Sequence, residues 1–299
     1  MKRDFLTIRE TPVEFMKEII DLAIKLKKER NRERTDLNGK VLISLYEKPS
    51  TRTRLSFETA IYNLGGRSLV MDFKSSQLSR GETMADTARV LSRYGDAISA
   101  RLFKHATLVE LARWASVPVI NALTDLEHPC QALADVQTII EHGKIKGKLV
   151  YIGDAANNVA NSLMLAAARY NMDITLSCPE GYPPNEEYVK EASKYTRITI
   201  EHDPIRAVKG ADVIYTDVWV SMGMEAEEAA RKTAFAPYQV NSELLMNAKP
   251  DCIVMHCLPA HRGLEITDDV LDGKHAAVWD QAENRMWAQE ALLLKLLKG

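Results

Sequence analysis

The sequence predicts an α/β protein of two domains, each a parallel sheet flanked by helices. Three observations predict it. The chain has 299 residues, more than one domain of ordinary size holds. Short β-rich runs alternate with helical stretches in two successive series, the pattern of strand–helix–strand crossovers. Polar clusters recur just past the β-runs, where open parallel sheets bind ligands.

The elements follow in order. A helix opens near Thr11-Pro12-Val13-Glu14, with Thr11 as cap, Pro12 at the first helical position and Glu14 reaching back in a capping box. Phe15, Ile19, Leu22 and Leu26 then fall on one helical face. The first series has β-runs at Val41–Tyr46, Ser68–Phe73, Ala97–Ala100 and Pro118–Ala122, with helices over Arg54–Leu64, Thr83–Tyr94 and Thr107–Ala115. The helical segment Pro129–His142 bridges to a second series, with runs at Leu149–Ile152, Ile174–Ser177, Arg197–Glu201, Val213–Thr216 and Cys252–His256. A last helix covers Ala282–Leu297. These positions predict domains over residues 1–125 and 145–281, joined by a linking helix over 126–144.

Bulk properties exclude several classes. Hydrophobic residues make up 46% and charged residues 27%, the balance of a soluble globular chain. The net charge of −2 gives no electrostatic reason to expect nucleic acid or an acidic membrane surface. The basic run Lys25 to Arg34 reads as a solvated face with favourable helix-end charges. Cys130, Cys178, Cys252 and Cys257 show no two-residue spacing, so neither a zinc ribbon nor a disulfide framework is expected. Met1-Lys2-Arg3-Asp4 lacks a signal-peptide core, and apolar runs such as Leu163 to Ala168 are too short to span a bilayer. The expectation is a cytoplasmic chain.

Chemistry concentrates at five strand ends. After Val41–Tyr46, the stretch Ser50-Thr51-Arg52-Thr53-Arg54 opens a helix. Unpaired helix N–H groups, hydroxyl donors and guanidinium forks together suit a doubly charged phosphate, and arginines in a first turn oppose the dipole unless an anion is present. Arg101 follows the third run, and Gly153-Asp154-Ala155-Ala156-Asn157-Asn158 follows the fifth. The latter lacks the second glycine of a dinucleotide turn, so no such cofactor is expected. Asp217 with Ser221-Met222-Gly223 suits a cationic amine, although a capping aspartate in a loop explains it as well. Cys257 stands open between buried packing and a ligand-facing role. His256 and His261 lie near it, but no further ligand is sensibly spaced, so no metal is expected.

This ordered set resembles the aspartate and ornithine carbamoyltransferase family over essentially the whole chain. The motifs are Ser50-Thr51-Arg52-Thr53-Arg54, His128-Pro129-Cys130-Gln131, Gly153-Asp154 with Asn157-Asn158, Asp217 with Ser221-Met222-Gly223, His256-Cys257-Leu258-Pro259 and Glu283-Asn284-Arg285. The first two match the signature for carbamoyl phosphate, and the others resemble the ornithine branch. An aspartate-specific relative would offer cationic residues where Asp217 and Ser221-Met222-Gly223 stand.

The resemblance implies transfer of the carbamoyl group of carbamoyl phosphate to L-ornithine, giving citrulline for arginine biosynthesis, with no metal, nucleotide or other cofactor. It implies that residues 282–299 return to the first domain, which binds carbamoyl phosphate, and that 145–281 binds ornithine. Ser50, Thr51, Arg52 and Thr53 would hold the phosphate. Arg101, His128 and Gln131 would orient and polarise the carbamoyl group, with Pro129 and Cys130 in the same stretch. Cys257, the Leu258 backbone and Arg285 would complete the reacting centre, Cys257 as a base or as a hydrogen-bond partner. Asn158, Asp217, Ser221 and Met222 would bind the amino acid. The family implies a homotrimer, or an assembly of trimers, in which Gln77 of the Ser75–Gly81 loop serves a neighbouring subunit. The residues leave room for another acceptor amine: putrescine, lysine or an N-acylated ornithine. Leu264 and Trp279 depart from the family pattern at positions not expected to touch ligand.

Overall fold

The computed structural model describes residues 2–30, 33–220 and 225–298. Two compact units divide the chain, one of Met1–Gln137 with Glu283–Gly299, the other of Thr138–Ala282. The fold is α/β, and each unit holds one parallel sheet.

In the first unit, α1 (Val13–Lys28) precedes β1 (Val41–Tyr46), α2 (Thr51–Asn63), β2 (Arg67–Asp72), α3 (Met84–Tyr94), β3 (Ala97–Arg101), α4 (His105–Trp114) and β4 (Val119–Leu123). The strand order is β2-β1-β3-β4, all parallel. The chain therefore goes one way from β1 and then crosses to the other side, which puts the topological switch point between β1 and β3. One face of the sheet packs Ile43, Leu45, Ile98, Ala100 and Val119 against Leu91 of α3 and Leu108 and Leu111 of α4. Helix α5 (Pro129–Glu141) then carries the chain onward.

The second unit follows the same logic with β5 (Lys148–Ile152), α6 (Asn158–Ala168), β6 (Asp173–Ser177), α7 (Glu186–Ala192), β7 (Ile198–Glu201), α8 (Pro204–Val208), β8 (Val213–Thr216), α9 (Glu228–Phe235), α10 (Ser242–Leu245), β9 (Ile253–His256) and α11 (Asp268–Leu271). Its order is β7-β6-β5-β8-β9, with the switch point between β5 and β8. Every residue of α6 from Val159 onward is buried, as a helix without a polar stripe requires. Helix α12 (Val278–Leu297) returns the chain to the first unit, where Lys295 pairs with Glu18 of α1 at 2.8 Å and Glu290 accepts from Asn63 of α2 at 2.6 Å.

Two local expectations change. Pro12, not Thr11, is the residue preceding α1, and no side chain caps that end. The Thr11 hydroxyl instead donates to the Thr7 carbonyl at 2.6 Å, the backward bond a threonine makes when a turn precedes the helix. Helix α2 starts at Thr51, three residues earlier than the apolar period suggests, because Ser50 caps it by accepting from Thr53 N–H at 3.3 Å. In the basic run, Arg34 pairs with Glu29 and Asp36, and Arg30 with Glu283, as a salt-bridged surface would. No helix among the described residues is long and apolar enough to cross a membrane.

Candidate active site

Each unit brings its polar residues together at its own switch point. In the first unit, the cap on α2 aims the helix N-terminus out of the carboxyl end of β1. Thr53, fully buried, is the hub. Its hydroxyl oxygen accepts from Arg285 Nη2 at 2.9 Å and lies 3.5 Å from Arg101 Nη1. Arg101 gets there from the end of β3, where the register with β4 shifts between Ala100 and Arg101. Arg285 also donates to Gln131 Oε1 at 2.8 Å and lies 3.4 Å from His128 Nε2. Gln131 closes the network by donating to Asp135 one turn along α5, at 2.8 Å.

Burial, reinforced by the Arg285 and Arg101 charges, holds His128 well below the usual imidazole range. A neutral ring results, offering one N–H donor and one acceptor. The two arginines of the Ser-Thr-Arg-Thr-Arg stretch separate clearly. Arg54 is exposed and paired with Glu58 at 3.0 Å, so of the two only Arg52 keeps an uncommitted guanidinium among the described residues. Arg52 is half-buried, and its guanidinium has no hydrogen bond or ion pair among the described residues. A cation left open beside a helix N-terminus is suited to an anion.

Other expected members sit differently. Thr51 is exposed and Pro129 is buried as the first residue of α5. The Cys130 thiol is fully buried, donates to the Asn121 carbonyl at 3.4 Å and is pushed up to about 12 by burial. Its side chain belongs to the core. Gln77 is exposed on a separate 3-10 turn, Gln77–Arg80, and is not joined to the Thr53 cluster.

In the second unit, β8 and β9 are paired with Thr216 opposite His256, which sets Asp217 beside Cys257. The Cys257 thiol donates to Asp217 Oδ1 at 2.9 Å, and Val218 N–H donates to the same oxygen at 2.8 Å. Asn157 donates to Asp217 Oδ2 at 3.2 Å across the switch point while capping α6 through Ala160 N–H at 2.8 Å. Burial raises the Asp217 carboxyl above the usual range, partly offset by His256 and the Cys257 bond. Gly153, at the end of β5, takes φ +130°, a region that excludes side chains at the turn toward Asp154. Leu258 takes φ +56°, unusual for a bulky residue, and its N–H donates to His256 Nδ1 at 2.8 Å. His256 Nε2 faces the buried Glu265 at 3.0 Å.

Asp217, His256 and Cys257 thus bring ligand-type atoms within 4.8 Å of one another, a proximity the spacing did not suggest. Both His256 ring nitrogens are already engaged, which makes this a hydrogen-bond network rather than a cation cage. Asn158 is half-buried at the start of α6, and its neighbour Asn157 is the residue that meets Asp217. The capping pattern was the available signal for Asn157. Nothing local marks Glu265 or Gln281, which accepts from His256 N–H at 2.9 Å. Ser221 and Met222 lie outside the described residues.

Residues 3–141 match the family described as aspartate/ornithine carbamoyltransferase, carbamoyl-P binding domain, and residues 146–296 match its Asp/Orn binding domain. The chain is 55% identical to an ornithine carbamoyltransferase of Archaeoglobus fulgidus, over 94% of this chain and 92% of that one. It is 51% identical to the anabolic ornithine carbamoyltransferase of Pyrococcus furiosus, over 99% of this chain and 97% of the relative. The solved ornithine carbamoyltransferase of Pyrococcus furiosus superposes with a TM-score of 0.94 at 50% identity, covering 100% of this chain and 98% of that one. With both of its domain descriptions matched in order and the residues above in place, the chain belongs to the aspartate/ornithine carbamoyltransferase family.

Proposed function

We propose that the chain is an ornithine carbamoyltransferase, joining the carbamoyl group of carbamoyl phosphate to the side-chain amine of L-ornithine to give L-citrulline and phosphate. The observation that carries the choice of acceptor is the Asp217–Cys257 pair at adjoining strand ends of the second unit. A buried carboxylate there suits the ammonium of an amino acid and repels the second carboxylate of aspartate.

The first unit receives carbamoyl phosphate. Arg52, the α2 N-terminus and the hydroxyls of Ser50, Thr51 and Thr53 take the phosphate. Arg101, neutral His128 and Arg285, held by Gln131, donate to the carbamoyl oxygen as negative charge develops there. Pro129 and Cys130 shape that stretch through the backbone. In the second unit, Asp217 holds the α-ammonium, with Asn158, Ser221 and Met222 completing the amino-acid pocket. The attacking amine must be a free base. Its ordinary pKa of about 10.4 leaves roughly one molecule in two thousand neutral at pH 7, a cost of about 4.6 kcal/mol. Cys257 hydrogen-bonds the reacting amine, with the Leu258 backbone alongside. Nitrogen bonds to the carbamoyl carbon, the carbon–oxygen bond to phosphate breaks, the nitrogen's excess proton passes to the departing phosphate, and phosphate leaves toward Arg52. Citrulline formation from carbamoyl phosphate and ornithine, with aspartate and putrescine as controls, tests the assignment. Turnover of either control in preference to ornithine overturns it.

The working form in this reading is a trimer in the cytoplasm, and the described cysteines are all free, as suits a reducing compartment. Edge strand β2 and helix α2 leave Leu69, Leu55 and Tyr62 more than half exposed, apolar surface suited to a second copy. Gln77 then reaches the phosphate bound by a neighbouring chain. Co-expressing Arg52→Ala with Gln77→Glu, each inactive alone, restores about one quarter of wild-type activity if sites are shared, because each of two chain choices has even odds. Mixed trimers that stay inactive refute the sharing.

A further inference from the structure

Arg231, on α9, is a buried cation that none of the roles above uses. Its side chain is 6% exposed and its partner Asp154 is 2% exposed. Arg231 Nη1 donates to Asp154 Oδ2 at 2.7 Å, in the loop after β5. The same nitrogen donates to the carbonyl of Trp219 at 3.1 Å, two residues past Asp217. Nε donates to Glu227 at 3.0 Å, one turn earlier. Aromatic rings close the remaining sides. The guanidinium carbon lies 4.9 Å from the Tyr182 ring centre and 6.0 Å from that of Phe235, on which Trp219 stacks at 6.3 Å.

Asp154 also accepts from Ala156 N–H at 2.9 Å, which shapes the turn leading to Asn157. Asn157 in turn donates to Asp217. The stretches 154–157 and 217–219 are therefore tied twice, through Asn157 with Asp217 and through Arg231 with Asp154 and Trp219. Asp217 is one end of the first tie and stands two residues from Trp219, which anchors the second. A planar guanidinium donates in fixed directions, so it sets the separation of the two stretches in a way a flexible ammonium does not.

We propose that Arg231 is a positioning residue for the acceptor: it holds the Trp219 carbonyl to Asp154 and thereby fixes the carboxylate that grips the substrate ammonium. The proposal rests on the reading of Asp217 as that carboxylate. Removing the guanidinium strands the Asp154 charge in a buried site, so the loops re-solvate and Asp217 loses its placement.

The test is steady-state kinetics with ornithine and carbamoyl phosphate for wild type, Arg231→Met, Arg231→Lys and Asp154→Asn. Arg231→Met raises the KM for ornithine about tenfold or more, with the KM for carbamoyl phosphate held within about twofold. Arg231→Lys recovers part of the difference, and Asp154→Asn moves the ornithine KM in the same direction. If the methionine variant does not fold, the lysine and asparagine variants decide by the same split. Combining Arg231→Met with Asp217→Asn adds nothing to the ornithine KM of Asp217→Asn alone, since both act through one carboxylate. An unchanged ornithine KM, a parallel rise in both KM values, or full additivity in the combination overturns the positioning role. A wild-type protein that makes no citrulline overturns the functional reading itself.

Discussion

The two units solve opposite electrostatic problems at equivalent places in the same kind of sheet. At the β1–β3 switch point, arginines converge on a buried hydroxyl and a neutral imidazole, and Arg52 is left open. At the β5–β8 switch point, a buried carboxylate collects three donors, from Cys257, Val218 and Asn157, before any ligand arrives. In the proposed reading the first site receives a phosphate, whose two charges and strong acceptors call for an uncommitted cation. A lone carboxylate in a buried site needs donors to remain charged, and its pKa is raised even so. One site is held ready by excess charge, the other by hydrogen bonding.

The largest effect should come from the first site. Arg52→Ala lowers citrulline formation about a thousandfold or more while the melting temperature holds, because the side chain serves a ligand and not the core. Arg54→Ala, three-dimensionally on the Glu58 side of the same turn, changes activity by no more than about threefold. Equal losses in both variants would erase the distinction between an open and a satisfied arginine.

In the second site, Asp217→Asn keeps the size and removes the charge. The ornithine KM rises about tenfold to a hundredfold, and carbamoyl phosphate binding measured by calorimetry persists. Loss of carbamoyl phosphate binding with ornithine binding intact would mean the two sites are assigned the wrong way round.

A smaller effect tests whether a buried acid needs a ligand role. Glu290, on α12, is pushed by burial from 4.5 to about 7, against the opposing Asn63 bond and Arg34 charge. Its folded value exceeds its unfolded value, so the folded chain binds more protons between these limits and stability falls as pH rises through that window. Glu290→Gln removes about 2 kcal/mol of that fall between pH 4.5 and 7, read by chemical unfolding, and leaves kinetic constants unchanged. Identical pH profiles for the two proteins would show that Glu290 is not the titrating group.

The residues also show how far the sequence reaches. The strand and helix runs, the Ser50 cap and the clusters after β1, β3, β5, β8 and β9 are legible because period, capping and turn chemistry act over a few residues. Composition alone left Asp217 open, since a capping role explained it equally well, and the structure shows it buried and bonded to Cys257 and Asn157. Thr11 misled because its hydroxyl bonds back to the Thr7 carbonyl rather than forward to the helix.

What the sequence by itself determined is the alternation that builds two parallel sheets and the placing of reactive residue types just beyond their strands. Tertiary structure decided which members of each cluster act together. Thr53 meets Arg285 from 232 residues away, and Arg231 meets Asp154 from 77 away. Arg52 stays open while Arg54, two residues on, finds Glu58. Asn157 rather than Asn158 meets Asp217. Neighbours in sequence point to different sides of a helix turn, and distant residues meet only where strand order folds the chain back. Local propensity sets the elements, whereas strand order and register set the partners.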